Sequence, residues 1–154
     1  MEFADILKVE AIKVSGSVSS KKRLFQDLGE LARSAYGLDS NEVTDALRAR
    51  EALGATGVGR GVALPHARLD NISDVVGIFI LLEKPIDFDA VDKEPVDIAF
   101  ALFAPQDAGV EHLKALALVS RTLREASICA KLRANHNPAT LHTILSEAHP
   151  VKAA

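Results

Sequence analysis

Val75 to Leu82 reads VVGIFILL and Val96 to Phe103 reads VDIAFALF, and these two short runs decide the fold. Both are rich in β-branched and large apolar residues, which marks them as strands. Pro85, Pro95 and Pro105 stand at their edges, where a missing N–H costs no ladder bond. A strand that is apolar at nearly every position must be covered on both faces. Working outward, Val62 and Leu64 alternate with small neighbours and predict a further strand. Upstream, Lys21 to Tyr36 places Leu24, Phe25, Leu28, Leu31, Ala32 and Ala35 on one helical stripe, with Ser19 or Ser20 as N-cap and Gly37 as the stop. A weaker helix follows Asp39 and Ser40, with Val43, Ala46, Leu47 and Ala49 on its apolar side, and ends near Gly54. The helical period returns at Val110, where Leu113, Leu116, Ala117, Ser120 and Leu123 are expected to face one way. A short helix around Ile128 and Leu132 comes next. The last helix starts at Asn137, a cap, with Pro138 at the first helical position, and buries Leu141, Ile144, Leu145 and Ala148. Helices on either side of buried strands predict a three-layer α/β domain with a mixed β-sheet flanked by helices.

At 154 residues the chain is expected to form a single domain spanning 1–154. Its 18 Lys and Arg against 21 Asp and Glu give a formal charge of −3, which argues against nucleic acid as a partner. Cys129 is the one cysteine, so no internal disulfide exists, and a reducing compartment is implied. It is read as a core residue. The N-terminus, MEFADILKVEAIKV, mixes acids with apolar residues and has none of the marks of a secretory signal. Val75 to Leu82 falls far short of the roughly 20 apolar residues that cross a bilayer. These features predict a cytoplasmic protein without membrane insertion.

The chemistry concentrates in GATGVGRGVALPHARL, Gly54 to Leu69. Gly54, Gly57, Gly59 and Gly61 leave backbone N–H groups open to an anion, although glycines at this density make a tight turn just as well. A nucleotide phosphate loop is not supported, because no GKS or GKT follows. Pro65 is expected to end the Val62–Leu64 strand and to hold His66 at a rim. A neutral histidine offers a ring nitrogen that accepts a phosphoryl group, and Arg60 and Arg68 flank it. The plain alternative is a structural histidine satisfied by its surroundings.

Several of these segments together resemble a known family. They are Arg50 and Glu51 ahead of Gly54, the run GATGVGRGVALPH, the region PIDFDAVDKEPVDIAFALFAP from Pro85 to Pro105, and His112 with Leu113, Leu116 and Val119. From about Leu24 to Leu145 the chain is similar to the enzyme IIA domains of the fructose/mannitol class of the bacterial phosphoenolpyruvate:sugar phosphotransferase system, most closely to the free-standing nitrogen-related branch. The resemblance implies that His66 receives a phosphoryl group on Nε2 from the phosphocarrier HPr or its nitrogen-branch paralogue. It implies that Arg50 neutralises phosphoryl oxygens and that His112 hydrogen-bonds the group without accepting it. Two positions depart from the family pattern. Ala55 replaces the serine of a GSTG loop, leaving Thr56 as the one hydroxyl for phosphoryl binding, and Arg60 stands where relatives carry a small or polar residue.

The leading expectation is therefore a phosphocarrier whose phosphorylation state regulates partner proteins such as transporters, kinases or metabolic enzymes. That reading follows from the lack of a fused IIB or IIC module or membrane segment in the sequence. A sugar-specific enzyme IIA that passes phosphate to a separate IIB protein shares the same site, and a regulatory module that binds without phosphate is the third reading. The donor is expected to dock on an apolar rim of Val62, Leu64 and Leu69. No cofactor is implied. No metal is expected at His66, His112, Asp107 or Glu111, which lack HxxxH or HExxH spacing. His136, His142 and His149 are read as solvated or dipole-favoured histidines around the last helix.

Overall fold

The computed structural model describes residues 1–148 and shows six strands and six α-helices. In chain order the elements are α1 (Phe3–Ile6), a 3₁₀ turn (Val9–Ala11), β1 (Ile12–Ser15), α2 (Lys21–Tyr36), α3 (Ser40–Glu51), β2 (Gly57–Gly59), β3 (Val62–Ala63), β4 (His66–Leu69), β5 (Val76–Ile86), β6 (Val96–Pro105), α4 (Val110–Leu123), α5 (Ala126–Arg133) and α6 (Pro138–Glu147). The sheet runs β1-β5-β6-β3-β2, with β4 also paired to β6. Its β1–β5, β3–β6 and β4–β6 pairs are parallel, whereas β5–β6 and β2–β3 are antiparallel. This is the expected mixed sheet.

Strand β6 shows why the apolar runs decide the architecture. Every residue from Ile98 to Ala104 is fully buried. Successive side chains point to opposite faces, so both faces are covered. Leu24, Phe25, Leu28 and Ala32 of α2 join that core as their spacing requires. Ser20 accepts from the Arg23 N–H at the start of α2, and Gly37 ends it in the left-handed region at φ +69°. Asn137 caps α6 by accepting from the Thr140 N–H.

Three expectations need correction. First, Pro85 is not at the edge of its strand. β5 continues to Ile86, and the pairing with β6 shifts register between Leu81 and Ile86, an irregularity that tolerates the absent N–H. Second, Pro65 interrupts the strand without ending it. Val62 faces Ile98, Ala63 faces Ala99 and His66 faces Leu102, so β3 and β4 lie along β6 in one continuous register. Proline removes one donor there, but its carbonyl still accepts from the Leu102 N–H at 3.0 Å. Third, α4 is rotated from the expected face. It buries His112, Ala115, Val119, Thr122 and Leu123, while Leu113 is 67% exposed. A polar His112 and Thr122 inside the buried stripe concealed its true position from a count of apolar residues.

The N-terminal elements carry no clear periodicity and were not expected. β1 is four residues at the sheet edge, placed by parallel pairing to β5. His142 is also more than a solvated side chain. Half-buried, it donates from Nε2 to the Leu7 carbonyl at 2.8 Å and ties α6 to the N-terminal segment. His136 is exposed, and His149 lies outside the described residues. Cys129 is buried in the core, where burial raises its thiol pKa and its Sγ–H donates to the Leu123 carbonyl.

Candidate functional site

His66 opens β4, and its ring is fixed by one local bond: Nδ1 lies 2.9 Å from the Leu64 carbonyl oxygen. A carbonyl only accepts, so Nδ1 carries the proton and Nε2 keeps the lone pair. His112, the third residue of α4, stands edge-on to this ring with centroids 6.0 Å apart. His112 is only 6% exposed, and its Nε2 is buried without a partner among the described residues. A buried polar atom left open costs free energy unless a ligand or water meets it. Burial, then the positive charge of Arg68, then His66, hold the His112 imidazole below its usual pKa.

Arg50 comes to the same place from the last turn of α3. Its Nη1 donates to the Gly54 carbonyl at 2.9 Å. Together Arg50, His66, Arg68 and His112 line a hollow of ≈ 500 Å³ whose remaining walls are Ala46, Ala49, Leu53 and Ala67. The hollow thus holds two imidazoles and two guanidiniums on an apolar lining. A nucleophilic nitrogen beside preorganised cations is the equipment that phosphoryl transfer uses. A larger hollow of ≈ 680 Å³ lies between the N-terminal segment and the β6–α4 turn and contains neither histidine.

Other expected site groups are placed elsewhere. Thr56 is buried and committed to Glu51: its hydroxyl donates to Oε2 at 2.6 Å and its N–H to Oε1 at 2.9 Å. With its single proton already given, the hydroxyl has none to donate to a phosphoryl oxygen. Lys21 pairs with the same carboxylate at 2.9 Å. The glycine-rich segment is a hairpin, β2 to β3, and does not line the His66 hollow. Gly61 needs its freedom because φ is +81° and a Cβ would sit 2.7 Å from Arg133 Nη2. Arg60 sits at the tip of that hairpin, its N–H donating to Asp92 and its carbonyl accepting from Arg133. It borders a separate hollow with Ser120 and Arg124. Val62, Leu64 and Leu69 are core residues and cannot form a docking rim. Leu53, 84% exposed on the His66 hollow, is the large apolar side chain of its lining that faces outward. Its isolation ahead of the glycines was the available sequence signal.

The His112 arrangement has a pH signature. A histidine whose folded pKa is depressed binds fewer protons folded than unfolded below the ordinary value of 6.5. Its contribution to stability is therefore intact above that pH and declines as pH falls below it. The urea midpoint of the wild type should drop between pH 7.5 and pH 5.5, and His112→Leu should remove part of that drop. Identical declines in the two proteins would assign the effect to other groups.

Fold and site define a IIA-type phosphotransferase component. The chain belongs to the family described as "Phosphoenolpyruvate-dependent sugar phosphotransferase system, EIIA 2", whose profile matches residues 5–148. A nitrogen regulatory protein of Bradyrhizobium diazoefficiens is 41% identical over 146 residues, covering 95% of both chains. The crystal structure of nitrogen regulatory protein IIA-Ntr from Neisseria meningitidis superposes with a TM-score of 0.84 at 37% identity, covering 91% of this chain and 96% of the other. A fructose-specific EIIA component of Haloferax volcanii is 31% identical over 147 residues, covering 95% of this chain and 96% of its own. Among the described residues, no helix is long and apolar enough to cross a membrane.

Proposed function

We propose that the protein is the phosphocarrier of a nitrogen-related phosphotransferase branch, acting as one domain in the cytoplasm and regulating partner proteins through its phosphorylation state. The observation that carries this reading is the Nδ1 bond of His66 to the Leu64 carbonyl, which leaves Nε2 as the nucleophile. In the step we propose, the Nε2 lone pair attacks the phosphorus of a phosphohistidine on an HPr-like donor, and the donor's P–N bond breaks in line. The ring gains positive charge while Nδ1 keeps its proton, and the carbonyl dipole stabilises that charge. Arg50 compensates the phosphoryl oxygens, and His112 offers a hydrogen bond from a site water does not fully reach. The donor docks over Leu53.

The test is the intact mass of the protein after incubation with phosphoenolpyruvate, enzyme I and an HPr-type carrier. The expected result is a gain of one acid-labile phosphoryl group. No gain with either general or nitrogen-branch carriers would leave the phosphate-independent binding module as the better reading. The sugar-specific alternative draws on the 31% identity to a fructose-specific EIIA component. It requires that labelled protein pass its phosphoryl group to a separate IIB protein.

Arg50 provides a sharper check of geometry. A lysine retains the charge but not the planar fork that can hold the Gly54 carbonyl with one nitrogen and a phosphoryl oxygen with another. Arg50→Lys should slow phosphorylation about 10-fold or more, roughly the 1.4 kcal/mol of one charge-assisted bond. Near-wild-type kinetics in a stopped time course would remove Arg50 from the site.

A further inference from the structure

Arg68 lies two residues beyond His66 on β4, so the two side chains leave the same face of the strand. Its guanidinium reaches across to the turn between β6 and α4. There a single nitrogen, Nη1, donates to the carbonyl of Pro105 at 3.2 Å, to that of Gln106 at 3.1 Å, and to that of Ala108. Those residues lead directly into α4, whose third residue is His112. The N-cap of α4, Gly109, has no side chain to fix the chain's entry into the helix. Arg68 instead holds the carbonyls of the turn that leads into it. Its Nε and Nη2 make no hydrogen bond among the described residues, and the side chain borders the hollow shared by His66, His112 and Arg50.

We propose that Arg68 is a positioning residue of the phosphoryl site: through Nη1 it fixes the 105–108 turn so that His112 stands against His66, and its remaining N–H groups are available to the phosphoryl oxygens. This rests on the phosphocarrier reading above. It also gives the same side chain an electrostatic part, because a fixed guanidinium beside His112 disfavours the imidazolium until an anion arrives. The charged and titratable groups around that imidazole are His66 and Arg68 from β4 and Arg50 from α3, with Glu111 on its own helix engaged by Lys114. When a phosphoryl group fills the hollow, its negative charge offsets the two arginines and favours a proton on His112. The site then holds a donor there when one is needed.

The test uses the full chain in three forms: wild type, Arg68→Gln and Arg68→Lys. Three quantities are read: the titration midpoint of His112 and the contact between the His66 and His112 rings, both by NMR in unphosphorylated protein, and the phosphorylation time course. Arg68→Gln should raise the His112 midpoint, weaken the ring-to-ring contact between His66 and His112, and slow phosphorylation at least about 10-fold, the loss of one charge-assisted interaction. Arg68→Lys restores the charge, so the His112 midpoint should return toward wild type while the rate recovers only in part. A Gln variant that reacts at the wild-type rate overturns the proposal, whatever its His112 titration does. So does a rate loss that merely follows a lower melting temperature with His112 unmoved, because that is a structural role alone. If the wild type takes no phosphoryl group, the phosphocarrier reading fails. The ring contact and titration in unmodified protein then still decide whether Arg68 positions His112.

Discussion

Replacing His66 by alanine should abolish phosphoryl uptake, and replacing His112 by alanine should only slow it. The asymmetry follows from the two rings' surroundings. His66 has its Nδ1 proton committed to the Leu64 carbonyl and its other nitrogen ready to form a bond. His112 is buried on α4, with an Nε2 that has no hydrogen-bond partner among the described residues. Without a nucleophile no covalent intermediate forms, so the His66→Ala protein should show no mass gain even after long incubation. On the proposed roles, loss of His112 should remove one hydrogen bond to the transferred group, an effect of about 10²-fold when such a donor is preorganised in a water-poor site. His66→Gln adds a control: glutamine keeps an amide that can still meet the Leu64 carbonyl but has no basic nitrogen, and it should be as inert as alanine. Equal and complete loss in His66→Ala and His112→Ala would mean that the assigned roles are wrong. Mass gain in His66→Ala would move the acceptor to another residue.

The same comparison shows what the sequence could and could not reveal. Strands β5 and β6 were legible because burial on both faces leaves unbroken apolar runs within them, up to Leu82 in β5 and from Ile98 to Ala104 in β6. Helices α2 and α6 were legible because their apolar stripes begin at Ser20 and Asn137, whose side chains cap them. His66 was legible from Pro65 and the glycine-rich run before it, and Arg50 and His112 from motif resemblance, and the three converge on one hollow although 46 residues separate the two histidines. What misled is equally physical. The N–H groups of the glycine-rich run invited an anion, but Gly59 and Gly61 serve the positive-φ backbone of a hairpin. The face of α4 was misjudged because the site takes a histidine inward and leaves Leu113 outside. Arg68 looked like one flanking charge among two. Its three carbonyl partners lie nearly forty residues downstream, a separation that no local pattern reports.

Phe100→Ala should cost about 3–5 kcal/mol of stability, the range for truncating a fully enclosed phenylalanine. Phe100 sits mid-strand in β6, directly opposite Phe79 of β5, and both are fully buried. Its ring meets Phe79 edge-on at 6.1 Å and Phe3 of α1 edge-on at 5.7 Å, and each such pair adds about 0.5–1.5 kcal/mol beyond area. On β5, Gly77 keeps space for the ring, since a Cβ there would lie 2.7 Å from Phe100 Cε1. That fit leaves little around the vacated volume that can collapse into it, because strands β5 and β6 are held in register and cannot slide. Typical domains have about 5–15 kcal/mol in total, so this one change removes a large share. The measurement is the urea midpoint of wild type and variant at pH 7.5, with the slope of the transition as a check that both unfold from comparable states. A loss under about 1 kcal/mol would show that α1 and its Phe3 move in to fill the space. Stability and chemistry should also separate here. His66 pairs with Leu102, two residues along β6, its side-chain hydrogen bond is to the Leu64 carbonyl, and Phe100 is not among the residues that line its hollow. At a temperature where the Phe100→Ala protein is still folded, it should therefore take up its phosphoryl group as the wild type does, whereas a matching loss of uptake would mean that the sheet core itself sets the geometry of the two histidines.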